Sequence, residues 1–354
     1  MSHRPIQTYK QSAWASVSAP GKLFLAGEYG VLFGGPALVM AVNRRLTVGP
    51  GGDVPASADP LIRAVLEEVS HIASLPKLGP RIEEGAFYDA GGLKLGLGSS
   101  AAKAAALTAS VFVMAGRNID DEDVRREVLD VALAGHGAAG GGSGADVAAS
   151  VLGGAVRFKL VGKPAGSLVS PSSRATSQIS QEATPVEIAP PNLPIIVRGG
   201  SPVSTRTALE HLGKALEEGS RNHRVLIEEA RDAGRHLVEA LTNRSCCDGD
   251  VISAVSRASK VLQALGEILQ LGEGAGLGAL RSANEVATSF GGAAKPSGAG
   301  GGDLILVFAP SVPLDERPSV VHKLDKAGLN VLNVAQTREG VCLHEPLPPA
   351  MPQD

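Results

Sequence analysis

Glycine constrains this chain more than its apolar pattern does: the 44 glycines among 354 residues gather in clusters that each lead into a helix or a strand. In "LGLGSSAAKAA", Leu95 to Ala105, Gly96 and Gly98 allow a tight turn with converging N–H groups. The helix that the alanines predict from Ser99 adds unpaired first-turn amides and the positive end of its dipole, which is what a phosphate site requires. Ser99 and Ser100 are placed to cap that helix, and one hydroxyl could also meet a nucleotide's magnesium. A plain glycine turn with a serine cap fits the same residues. The Walker spacing Gly-x4-Gly-Lys-Ser/Thr is absent, so an ordinary P-loop is excluded.

"GGGSGADVAASVLGG", Gly140 to Gly154, sets Asp146 in the first turn of a short helix. A carboxylate there could take a proton from an attacking hydroxyl, hold a lysine, or simply offset the helix dipole. In "AAKPSGAGGGDLILVF", Ala293 to Phe308, the glycine run enters a wholly apolar strand. Linkers are flanked by polar, aperiodic sequence, so this run reads as a structural loop closed by Asp303. Lys22 stands at the mouth of a fourth segment, "SAPGKLFLAGEYG", with Glu28 just beyond its apolar stretch.

The remaining composition narrows the function classes. Apolar residues are 44% but aromatics only 3%, so the core must be built from Ala, Val, Leu and Ile. Lys+Arg 33 against Asp+Glu 36 leaves a net charge of −3 with no basic, aromatic-interleaved stripe, which argues against nucleic acid. Cys246, Cys247 and Cys342 form neither a disulfide framework nor a zinc spacing, and no apolar run approaches the ~20 residues of a membrane span. A reducing, cytoplasmic setting without a membrane is expected.

Periodicity predicts strands at Leu23–Ala26 and over "ALVMAVNRRLTVG", then a helix capped by Asp59 with Pro60 at its first position. Helices are expected from Ser99 and from Asp120 or Asp121, followed by a short helix, a Gly-Gly break and a strand. The Ser/Thr-rich stretch from Gly162 to Pro194 reads as irregular, with a division near Pro190 into units 1–190 and 191–354. The second unit predicts a strand at Ile195–Arg198, four helices, the strand Leu304–Phe308, a helix near Leu314–Lys326 and a strand at Asn330–Val334. The class is α+β, two domains sharing a cleft, with a frayed tail from Pro346.

Taken in order, "PGKLFLAGEY", "LGLGSSAA", "GSGADVAAS" and "KPSGAGGGD" resemble the GHMP kinases, and within them the phosphomevalonate-kinase branch of bacteria. "GGSPVSTRTAL" resembles that branch's Ser-Thr segment. The resemblance implies a ribosomal-S5-like N-terminal domain, a ferredoxin-like C-terminal domain and an active site between them. It implies that Lys94, Gly96, Leu97, Gly98, Ser99, Ser100 and Ala101 bind ATP, with Ser100 also on Mg2+. Lys22 and Asp146 would act in catalysis, joined at the substrate by Ser143, Gly144, Ser204, Thr205, Arg206, Ser297, Gly298, Ala299 and Gly300. The acceptor implied is 5-phosphomevalonate or mevalonate, with room for a homodimer. A non-catalytic ligand-binding protein of the same fold is the alternative from another class. Asp146 is expected to orient Lys22, and Asp303 to organise its loop or a lysine such as Lys295. Gly135 to Ala145 lacks the acidic metal ligand of mevalonate kinases, and the Gln-Gly step common in the phosphomevalonate branch is absent there too.

Overall fold

The computed structural model describes residues 13–52, 59–161, 180–200, 205–217, 221–270, 275–298 and 303–345. In chain order the first half runs β1 (Val17–Ala26), β2 (Ala37–Gly49), α1 (Pro60–Val69), β3 (Arg81–Glu83), α2 (Ser99–Met114), α3 (Glu122–Ala138), α4 (Ala145–Leu152), β4 (Ala155–Val161) and β5 (Ser180–Val186). The second half runs β6 (Ile195–Arg198), α5 (Thr205–Glu217), α6 (Arg221–Thr242), α7 (Asp248–Ile268), α8 (Ala275–Thr288), β7 (Ala293–Pro296), β8 (Leu304–Phe308), α9 (Arg317–Lys326), β9 (Asn330–Val331) and β10 (Cys342–Leu343).

Local chemistry accounts for most boundaries. Asp59 caps α1, its Oδ1 accepting from the amides of Leu61 at 2.8 Å and Ile62 at 3.3 Å, with Pro60 in the first turn where a missing N–H is harmless. Asp121 caps α3 in the same way. The alanine-rich α2 is buried on nearly all sides, so its neighbours approach as close as its small side chains allow. Gly135 of α3 shows the same logic: a Cβ there would lie 2.8 Å from the Cα of Val65, so only glycine lets α1 and α3 meet.

Two antiparallel sheets result. The first has the order β10-β1-β2-β4-β5, with β3 added to β2; the second has the order β7-β8-β6-β9. Numbering the second sheet's strands by sequence, the order is second, third, first, fourth, the arrangement of a ferredoxin-like domain. Residue 190 lies between the two sheets, and β10 crosses back to pair with β1 at Val17 and Ser18. The segment read as irregular contains β5, whose alternating half-exposed pattern and Pro185 suit a polar edge strand. The tail from Pro346 lies outside the described residues. Among the described residues no helix is long and apolar enough to cross a membrane.

The larger core joins the first sheet and its helices to α6 and α7, and a smaller one fills the space between the second sheet, α8 and α9. The domains therefore share packing. Where α6 crosses the end of β1, a Cβ on Gly234 would fall 2.7 Å from the Cα of Gly27.

Candidate active site

The turn before α2 is the tightest feature of the site. Gly96 and Gly98 take φ of +74° and +76°, the left-handed region open to glycine, on either side of the buried Leu97. The Lys22 amide donates to the Leu97 carbonyl at 2.8 Å, and a Cβ on Gly98 would lie 2.7 Å from Lys22 Cε. The turn thus wraps the stem of Lys22, the single residue of β1 that is not buried. The expected serine cap is corrected: Gly98 is the N-cap, and no side chain caps α2. Ser99 is turned inward at 2% exposure, leaving its amide as its available group, while Ser100 is exposed. Ala101 is buried and Lys94 is exposed on the approach to the turn.

Lys22 opens into a cleft lined by Phe24, Glu28, Tyr29, Gly142, Ser143, Asp146, Ala208, Leu209 and Gly298. Gly144, with φ +86°, starts α4 and sets Asp146 in its first turn, where Oδ1 accepts from the Val147 amide at 3.0 Å. Ser143 Oγ accepts from the Ala145 amide at 3.4 Å. Lys22 and Asp146 share the cleft, but the ion pairs among the described residues do not join them. Burial, and then the Glu28 carboxylate, push the Tyr29 phenol well above its usual range, so it is a neutral wall.

The second domain closes the site with charge. Lys295 Nζ donates to Glu28 Oε1 at 2.5 Å, Ser297 Oγ donates to the Phe24 carbonyl at 2.9 Å, and Arg198 pairs with Asp89. The expectation that Asp303 serves Lys295 is thereby corrected, since Glu28 takes that lysine. Asp303 instead lies against the phosphate-type turn: a Cβ on Gly96 would be 2.6 Å from its Oδ2. Its Oδ1 accepts from the Leu304 amide at 3.0 Å. Burial pushes its carboxyl up, opposed chiefly by the Lys22 ammonium.

Gly298, with φ +73°, reaches the cleft, whereas Ser204, Ala299 and Gly300 lie outside the described residues. Thr205 and Arg206 form the start of α5, their side chains outside the description. Glu28 and its partner were missed from sequence as site residues; the only signal was a carboxylate just past a strand end. Among the described residues no group of three or more His, Cys, Asp or Glu could hold a metal. A magnesium bound mainly by nucleotide oxygens and water, with the exposed Ser100 hydroxyl as one ligand, fits that donor set.

A glycine turn at a helix N-terminus, a lysine stem packed on it, and a cleft with Glu28 and Asp146 on one side and Ala208, Leu209 and Gly298 on the other suit a phosphoryl-transfer class. Residues 81–154 match the family model for the GHMP kinases N terminal domain, and the whole chain has the GHMP-kinase fold. Its similarity is to the phosphomevalonate kinases of that family: it is 28% identical, over 91% of this chain and 97% of the other, to phosphomevalonate kinase from Streptomyces sp. strain CL190. Among solved structures, the Lin0012 protein from Listeria innocua superposes with a TM-score of 0.72 at 22% identity, covering 93% of this chain and 99% of that one. Streptococcus pneumoniae phosphomevalonate kinase, in complex with phosphomevalonate and AMPPNP, gives 0.69 at 18% identity, covering 91% and 99%.

Proposed function

We propose that this protein transfers the γ-phosphoryl group of ATP to the phosphate of 5-phosphomevalonate, giving 5-diphosphomevalonate. The observation that carries the reading is the position of Lys22, packed on the turn at Gly98 and opening into the cleft that Asp146 lines. One cation there can meet both the donor phosphates and the acceptor phosphate, countering the repulsion of two anions. The amides of Gly98 to Ala101 cradle the triphosphate, as the unpaired first turn of α2 permits. Ser143 and Gly298 border the acceptor side of the cleft. A phosphate monoester has a second pKa of ~6, so it is largely ionised at neutral pH and needs no strong base. Nucleotide oxygens and the Ser100 hydroxyl would hold a magnesium carried with ATP, which would supply charge neutralisation on the phosphates. ATP as donor suits a cytoplasmic enzyme.

Mevalonate is the second acceptor worth weighing, because Asp146 is unpaired with Lys22 and could receive a hydroxyl proton. Coupled ADP-release assays with 5-phosphomevalonate, mevalonate, galactose and homoserine test the reading, with product mass as the second readout. Turnover confined to a sugar or homoserine would refute it. AMPPNP binding without turnover of any acceptor would mark a ligand-binding protein instead.

A further inference from the structure

Lys22 has its backbone fixed and its ammonium unpaired. Its amide is held by Leu97 and its stem by Gly98, yet its Nζ makes no ion pair among the described residues and lies 6.0 Å from the centre of the Phe24 ring. On the other side of the same Gly-Leu-Gly turn, Asp303 Oδ2 fills the space that a Gly96 side chain would need. Asp303 is itself held by hydrogen bonds. Its carbonyl accepts from the Gly199 amide at 2.9 Å, its Oδ1 from the Leu304 amide at 3.0 Å, and it directly precedes the buried strand β8.

We propose that Asp303 is the positioning residue for Lys22: a carboxylate delivered by the second domain that draws the ammonium over the phosphate turn without pairing with it. The role goes beyond the phosphotransferase reading and rests on it. A contact ion pair would neutralise the lysine and occupy the donors that phosphate oxygens need. A fixed charge a step further away biases where the ammonium sits and leaves its three protons available. Burial raises the Asp303 carboxyl on balance, and the Lys22 ammonium is the main group opposing that rise, so the two charges lie within reach of each other. Asp146, expected to orient Lys22, makes no pair with it. Lys22 and Gly96 belong to the first domain and Asp303 to the second, so this alignment exists only when the domains are joined as they are here.

The test is a double-variant cycle on the full chain: wild type, Asp303→Asn, Asp303→Glu, Lys22→Ala and Lys22→Ala/Asp303→Asn, with saturating ATP and the acceptor wild type uses. Asp303→Asn should lower kcat about 10- to 100-fold and leave KM for ATP within about threefold. Asp303→Glu should recover part of that loss. In the Lys22→Ala background, Asp303→Asn should change kcat by less than about twofold, because the group it positions is gone. Affinity for AMPPNP, by calorimetry, should stay within about threefold when Asp303→Asn is added to wild type and when it is added to Lys22→Ala, showing the turn intact. An Asp303→Asn loss of equal size with and without Lys22, or one confined to KM, overturns the proposal. If Asp303→Asn does not fold, Asp303→Glu and Asp303→Ser decide by the same cycle. Wild-type turnover of mevalonate alone refutes the acceptor assigned above and leaves this comparison readable; wild type inert towards both acceptors overturns both.

Discussion

Lys295 and Glu28, 267 residues apart, form an ion pair of 2.5 Å with side-chain exposures of 0% and 5%, the most deeply buried charge pair among the described residues. It joins β7 of the second domain to the end of β1, the strand that carries Lys22, and Ser297 clamps the same strand at Phe24. The arrangement makes cleft geometry depend on how the two domains are held.

Breaking that pair from one side should be costly. Lys295→Met leaves the Glu28 carboxylate buried and uncompensated, a loss of roughly 3–5 kcal/mol by the behaviour of such pairs. Removing both charges, as Lys295→Met with Glu28→Gln, should recover much of it. Urea unfolding of the wild type, both single variants and the double variant checks this. A double variant as unstable as the worse single one would show that the pair is not the cause.

Gly98→Ala should damage nucleotide binding while sparing the fold. The φ of +76° costs an L-residue ~1–2 kcal/mol, and the new methyl meets Lys22 Cε at 2.7 Å. The lysine stem must move, so turnover should fall by more than about tenfold, with weaker AMPPNP binding measured calorimetrically. Ala substitution at Gly92, whose Cβ would meet nothing within 4 Å, controls for backbone strain alone, since its φ is a similar +75°.

Asp59→Ala should cost about 1 kcal/mol through the lost cap of α1. Burial pushes the Asp59 carboxyl up, but the Lys103 ammonium at 3.2 Å and the Leu61 and Ile62 amides outweigh it, and the net shift is downward from 3.8. A depressed native pKa stabilises above the unfolded value and is lost as pH falls through the native one. The gap between wild type and variant should therefore be full near neutrality and close below pH 3.8. Thermal unfolding across that range measures it; a gap independent of pH would assign the effect to neutral cap geometry alone.

How much of this was legible in the sequence depends on the range of the signal. The bounds of β8 follow from an unbroken apolar run, those of β2 from apolar stretches on either side of Asn43-Arg44-Arg45, those of β6 from Ile195-Ile196-Val197, and the Asp59-Pro60 start of α1 from capping chemistry a few residues long. β7 went unread because "AAKP" carries a charge and a proline; its burial is supplied by β8 and by Glu28 from the other domain. β5 was hidden by polar residues appropriate to an edge, and the two-residue β10 has no pattern of its own. In the site, Lys22, Ser143, Asp146 and Gly298 do meet in one cleft. Their pairing was not readable: nothing local says that Glu28 takes Lys295 or that Asp303 faces Gly96, because both contacts are made across the domain boundary.

Comparing Asp146→Asn with Lys22→Ala separates the two acceptor classes. If the acceptor is a phosphate already ionised at neutral pH, the Asp146 carboxylate has no essential proton to remove, and Asp146→Asn should lower kcat about tenfold or less. Lys22→Ala, which strips the cation between two anionic groups, should then be the more damaging change, by about 100-fold or more. An alcohol acceptor reverses the order, since losing a general base costs typically ~10²–10⁴ in rate. Both variants are measured with 5-phosphomevalonate and with mevalonate at pH 7.5 and pH 9. With mevalonate, higher pH should partly restore Asp146→Asn by assisting deprotonation; with 5-phosphomevalonate it should not. Equal losses for the two variants on both acceptors would remove the distinction and count against Asp146 as anything but the first-turn carboxylate of α4.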